Sequence, residues 1–300
     1  MDFENSSSTY YLIIRQSEEF RNFEQRYKIY LESFKIQIDN FLRNSTPLDW
    51  NVLDDYAVTL IPEDMRSSLT FAYLSLIRPP SDYMSVSHMF NSGLICRIYA
   101  KWLQLSPEDS RLLTRCGFLY DIGKCMLPEE VLFKNGKLSD LEFDLIKTHA
   151  FLGKVLLTRQ PDIDEHILNA TLQHHERSDG SGYPQKLTSA EIDRFAGMVA
   201  IVDVYEAMTS ARSYREPLCA YQVVSLFQEQ SLQKYDLNSI NNFLNHLIDD
   251  FIGSYVKLSN GLAGKVLMKN SNDLARPLVL CGEQVVDLAH EKGLSIVAII

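Results

Sequence analysis

Asp203 stands in GMVAIVDVYEAM, a run so apolar that a helix built from it has to be buried. A bare carboxylate there costs several kcal/mol unless it is paired or bound to a cation. Asp121, in GFLYDIGK, is in the same position. Whatever this chain folds into must therefore bring compensating groups to two interior aspartates. Of its seven histidines, four (His88, His149, His174 and His175) fall in helical segments of the middle of the chain. A metal would satisfy the aspartates and these histidines together, which no single salt bridge could do. Taken singly, each residue has a plainer explanation: Asp203 could cap a helix or pair with Arg212, and a lone histidine is more often a surface or core residue than a ligand. His166, His246 and His290 are left in that ordinary class.

The surrounding pattern is helix after helix from Ser81 onward: SDYMSVSHMFNSGLICRIYAKWLQL, EDSRLLTRCGFLYDIG, SDLEFDLIKTHAFLGKVLLT, DEHILNATLQHH and TSAEIDRFAGMVAIVDVYEAMTS. The last opens with Thr188 and Glu191 at capping-box spacing. Upstream, Phe20, Phe23, Tyr27, Tyr30, Leu31 and Phe34 recur at threes and fours, predicting an amphipathic helix whose aromatic stripe faces a core. A second helix is expected after Pro62, and Pro79 and Pro80 then break the chain. Downstream, Asn260-Gly261 between two alternating runs signals a hairpin, with RPLVLC and LSIVAII as further strands. The expected fold is mostly α: an N-terminal helical module over 1–78, a helical bundle over 79–253 and a small β appendage over 254–300.

Charge limits the function. With 300 residues, a formal net charge of -10 and no Lys/Arg run, the chain is not built to coat duplex nucleic acid or an anionic membrane. A small anionic ligand held by a few local cations remains open. The five cysteines form no CxxC pair and are expected to be reduced thiols. No stretch approaches the ~20 apolar residues of a membrane span, and the first residues are acidic where a signal peptide is basic, so a cytoplasmic location is expected.

One stretch, HHERSDGSGYP from His174 to Pro184, sets two histidines beside carboxylates and a glycine-rich turn. It resembles the signature HHExxDGxGYP of HD-GYP proteins, a branch of the HD metal-dependent phosphohydrolases. The resemblance continues in order from about Ser81 to Tyr255: SH at His88, DIGK at Asp121 to Lys124, KTH at His149, then AIVDVYEAMTSARSYR. It implies a helical HD-type bundle holding two metal ions, Fe or Mn. One ion would be held by His88, Asp121 and Asp203, the other by Asp121, His149, His174 and His175, with Asp121 bridging. Imidazole and carboxylate suit those ions, and two ions about 3.5–4 Å apart can activate a hydroxide and stabilise phosphorane oxygens. The implied substrate is cyclic di-GMP, with Asp121 and Lys124 catalytic. Lys124, Gly182, Tyr183, Pro184, Glu206, Arg212 and Arg215 would contact the substrate.

Three positions depart from the family. The doublet that names it is His-Asp, and here it is Tyr120-Asp121, which removes an imidazole from the first metal. A phenol of pKa ~10 binds well only after losing its proton. Met84 stands where members with a third metal carry glutamate, so no third ion is expected. Glu206 replaces the usual aspartate, keeping the carboxylate and adding a methylene. The leading expectation is a metal-dependent cyclic di-GMP phosphodiesterase. The alternatives are a catalytically inactive Tyr-Asp variant that senses a cyclic dinucleotide or docks a protein through its GYP loop or N-terminal helices, and a phosphohydrolase acting on another phosphoester. Homodimer formation is left open.

Overall fold

Helix α1 (Glu18–Asn44) starts where the Ser17 hydroxyl accepts from the Phe20 amide, with Glu18 and Glu19 at the positive end of the helix dipole. Its buried residues Phe20, Phe23, Tyr27, Leu31, Phe34, Ile38 and Phe41 form the stripe the spacing predicts, with Tyr30 at its half-buried edge. The computed structural model describes residues 13–80, 83–134, 136–210, 217–230 and 232–300. After α1 come α2 (Trp50–Leu60) and α3 (Ser67–Leu76). Helix α2 is a structural addition to the single helix expected after Pro62: Asp49 accepts from the amides of Asn51 and Val52 and so starts a helix earlier.

The bundle follows as α4 (Met84–Trp102), α5 (Pro107–Leu119), a 3-10 helix (Ile122–Met126), α6 (Glu129–Leu132), α7 (Asp140–Lys147), α8 (His149–Leu157), α9 (Glu165–Gln173), α10 (Arg194–Thr209), α11 (Ala220–Gln230) and α12 (Leu237–Asp249). Two boundaries differ from expectation. The stretch from Ser139 to Thr158 is two helices, broken at Thr148, and His149 opens the second. Helix α10 begins at Arg194 because Asp193 accepts from the amides of Phe195 and Ala196. Thr188 and Glu191 form an earlier turn instead, with the Glu191 carboxylate taking both the amide and the hydroxyl of Thr188.

Helix α1 lies against α4 and α5, the helices that lead to His88 and Tyr120. Phe34 sits 5.4 Å from Phe90 and 5.5 Å from Phe118 between ring centroids, and Tyr27 sits 5.4 Å from Phe90. Residues 13–78 thus share one apolar core with the bundle. Arg115 of α5 reinforces this contact through a two-pronged pair with Asp54 of α2.

The tail forms an antiparallel sheet of β1 (Tyr255–Leu258), β2 (Ala263–Met268), β3 (Leu278–Cys281), β4 (Gln284–Asp287) and β5 (Ile296–Ile299), in the order β4-β3-β2-β1-β5. Asn260-Gly261 makes the expected turn, with Gly261 at φ +89°. Strand β4 was not foreseen; it pairs back on β3 through Gly282 at φ +62°. Strand β5 packs on α11. Among the described residues no helix is long and apolar enough to cross a membrane.

Candidate metal centre

Five elements deliver the candidate ligands to one place. His88 lies on α4, Asp121 directly follows α5, His149 opens α8, His174 and His175 end α9, and Asp203 lies midway along α10. The two signature histidines sit at and just past the end of α9 rather than inside it, so their rings turn inward together, 4.1 Å apart. Gly123 explains how Asp121 reaches His149. A Cβ there would lie 2.0 Å from the His149 carbonyl oxygen, so only glycine lets the 3-10 helix rest on α8.

The donor atoms fall into two groups, His149 with His174 and His175, and His88 with Asp121 and Asp203. Asp121 stands between them. Its Oδ1 is 3.3 Å from His149 Nε2 and 3.9 Å from His174 Nε2, while its Oδ2 is 3.7 Å from His88 Nε2 and 2.5 Å from Lys124 Nζ. Burial works against the Asp121 charge, yet Lys124 and the surrounding imidazoles hold its carboxyl below the usual range. Both oxygens are nonetheless buried without a well-directed hydrogen bond.

Hydrogen bonding fixes the tautomers of two of the three histidines in the first group. His149 Nδ1 donates to the Ile146 carbonyl at 2.6 Å, and His174 Nδ1 donates to the carbonyls of Ala170 and Thr171. A carbonyl only accepts, so each Nδ1 carries the hydrogen and each Nε2 keeps its lone pair. Burial lowers the pKa of all three imidazoles, His174 to about 4, so no proton bridges them at neutral pH. Two lone pairs then face each other 3.1 Å apart, beside the unsatisfied oxygens of Asp121. A cation shared among these atoms fits this donor set; an empty cluster of facing lone pairs does not.

The second group is arranged differently. The Tyr120 hydroxyl lies 2.7 Å from His88 Nε2, 3.0 Å from Asp203 Oδ1 and 3.2 Å from Ser92 Oγ. It lies between these two candidate ligands. Burial, with Asp203 and Asp121 nearby, pushes the phenol well above its usual pKa, so Tyr120 stays neutral and donates. Burial alone would lower the pKa of His88, but the charges and hydrogen bonds of Glu206 and Asp203 raise it to about 9. Glu206, expected at the substrate, is instead turned inward: one oxygen meets His88 Nδ1 and the other accepts from Asn91 and Ser210.

The glycine-rich stretch is held by a residue to which the sequence reading assigned no role. Glu176 is buried, and its two oxygens accept from the amides of Gln185 and Leu187 at 2.6 and 3.0 Å. Its only sequence signal is its place inside HHERSDGSGYP. A Cβ on Gly182 would lie 2.4 Å from Glu176 Cα, which explains the glycine at that close approach. Tyr183 stacks on His175 at 4.6 Å, Pro184 follows through a cis peptide bond, and Lys147 lies 6.0 Å from the Tyr183 ring. Arg212 and Arg215 lie outside the described residues. Of the ordinary histidines, His166 pairs with Asp193, His246 stacks on Trp102 and His290 pairs with Asp287.

A helical bundle closing on imidazole and carboxylate groups that share one aspartate defines a metal-binding scaffold. A family model described as "HD domain" matches residues 77–238, and the chain belongs to this family. Phosphohydrolases of the HD domain are metal-dependent, in keeping with the donor groups described above. The chain is 32% identical over 248 residues to the cyclic di-GMP phosphodiesterase PA4108 of Pseudomonas aeruginosa, covering 78% of this chain and 60% of that protein. It is 37% identical over 139 residues to the 3'3'-cGAMP-specific phosphodiesterase 1 of Vibrio cholerae, covering 45% of this chain and 31% of that one. Among solved structures it is similar to Bd1817, an HDG"Y"P protein from Bdellovibrio bacteriovorus, with a TM-score of 0.60 at 19% identity over 83% of this chain and 80% of the other. That likeness is one of fold.

Proposed function

We propose that this chain is a metal-dependent phosphodiesterase that opens cyclic di-GMP, with the chemistry in 79–253 and residues 13–78 and 254–300 packed around it. The observation that carries the reading is Asp121, a buried carboxylate whose oxygens lack a well-directed hydrogen bond although Lys124 pairs with one of them, and which reaches toward both groups of metal-type donors. The relative from Pseudomonas aeruginosa, named as a cyclic di-GMP phosphodiesterase, supplies the substrate. His149, His174, His175 and Asp121 would hold one ion and His88, Asp121 and Asp203 the other, with Fe or Mn the best match to these ligands. When bound, such ions supply Lewis acidity and a nucleophile at neutral pH.

The remaining work falls to side chains. Lys124, beside Asp121 on the 3-10 helix, offers a cation to the charge that builds on the phosphate oxygens. Tyr183 and Pro184 form a rim beside His175, with Gly182 keeping the backbone close beneath it. Arg212 and Arg215 are assigned to the substrate phosphates on the family resemblance alone. The test is a chromatographic cyclic di-GMP assay on protein purified anaerobically and loaded with Fe(II) or Mn(II). Metal-dependent product that disappears in Asp121→Ala is expected, and hydrolysis surviving in that variant would refute the site.

A second reading has its own observation. The Tyr120 hydroxyl bonds to the atoms of His88 and Asp203 that an ion would need, which favours a protein that binds a cyclic dinucleotide without turning it over. Calorimetric binding of cyclic di-GMP without product in the same assay would select it. Product from 3'3'-cGAMP and not from cyclic di-GMP would instead reassign the substrate.

A further inference from the structure

His88 is connected to α1 by an unbroken series of buried hydrogen bonds. The Tyr27 hydroxyl donates to Asn91 Oδ1 at 2.7 Å, Asn91 Nδ2 donates to Glu206 Oε1 at 2.8 Å, and the other Glu206 oxygen faces His88 Nδ1. Tyr27, Asn91 and Glu206 are all at least nine-tenths buried, so no solvent competes for these bonds.

The direction of the series follows from chemistry. An ionised carboxylate only accepts, so Glu206 requires the amide nitrogen of Asn91 on one side and a protonated Nδ1 of His88 on the other. Asn91 must then turn its oxygen toward α1, where only a donor can satisfy it. Tyr27 is that donor: burial and the nearby Glu206 charge raise its pKa, keeping the phenol protonated. Each proton sets the next group, and the last keeps hydrogen on Nδ1 while Nε2 faces Asp203 at 3.0 Å.

We propose that Tyr27 is a positioning residue for His88, through which helix α1 holds the orientation of one imidazole of the metal centre and keeps its Nδ1 hydrogen on Glu206. The proposal rests on the metal reading above for its consequence, though the relay itself exists without an ion. Removing the Tyr27 hydroxyl leaves Asn91 free to turn over and present its oxygen to Glu206, which repels that carboxylate and loosens its hold on Nδ1.

The same interface contains a matched control. Tyr56 of α2 is also buried against Phe90, and its hydroxyl accepts from Gln37 and donates to Ser33, away from His88. The experiment compares Tyr27→Phe with Tyr56→Phe in full-length protein labelled with 15N-histidine. In metal-free protein, Tyr27→Phe is expected to shift the His88 ring nitrogens and speed exchange of its Nδ1 proton, with Tyr56→Phe leaving both unchanged. Titration with Mn(II) is expected to show an affinity loss of about tenfold for Tyr27→Phe alone. A His88 signal in Tyr27→Phe identical to wild type, or an equal shift in Tyr56→Phe, would overturn the relay. Because the NMR readout uses no metal, a wild-type protein that binds no Mn(II) would count against the metal reading and not against the relay.

Discussion

A phenol and an imidazole of similar reach do opposite things between His88 and Asp203. Imidazole brings a lone pair to an ion, whereas the neutral Tyr120 hydroxyl spends its proton on a ligand atom and holds the pair together without one. Tyr120→His should therefore raise the Mn(II) bound per chain at a fixed, sub-saturating metal concentration, because ligand changes commonly move metal affinity by about 10–100-fold. Elemental analysis after equilibrium dialysis reads this directly, and an unchanged stoichiometry would mean that Tyr120 is not what limits the His88 group. The removal of a fully buried ring costs packing, so some loss of thermal stability should accompany the gain.

Elements place these residues through close backbone contacts that side-chain arithmetic does not reveal. The 3-10 helix touches α8 at Gly123, and Gly123→Ala should cost about 1–3 kcal/mol in urea unfolding and displace Asp121 from His149. A variant as stable as wild type would show that the two elements can slide apart freely. Much of the arrangement was legible beforehand, because buried carboxylates in apolar helices and paired histidines announce a shared partner. The aromatic stripe of α1 and the Asn260-Gly261 hairpin were equally plain, since periodicity and turn chemistry are local. What escaped was decided by competition or by distance. Asp193 outcompeted Thr188 as the cap of α10, Asp49 started α2 unseen, and Glu206 could be located on its helix but not aimed, since only the folded packing brings His88 and Asn91 within its reach. The bonds from Glu176 to Gln185 and Leu187 arise only once the loop folds back.

At the scale of the whole molecule, α1 forms one wall of the core that holds α4 and α5. A chain beginning at residue 79 would expose Phe90 and Phe118, each worth about 1.5–3 kcal/mol of burial, and lose the Arg115–Asp54 pair. Such a chain should aggregate or melt about 10 °C or more below the full protein by calorimetry; equal melting temperatures would show that the bundle is self-sufficient. The same wall carries Tyr27. The chemistry-bearing segment is therefore not a portable cassette: a sensor grafted at residue 79 would sever the part that steadies the centre, whereas one joined ahead of α1 would acquire a ready-made drive shaft, able to turn a tug on a helix into a changed grip on an ion.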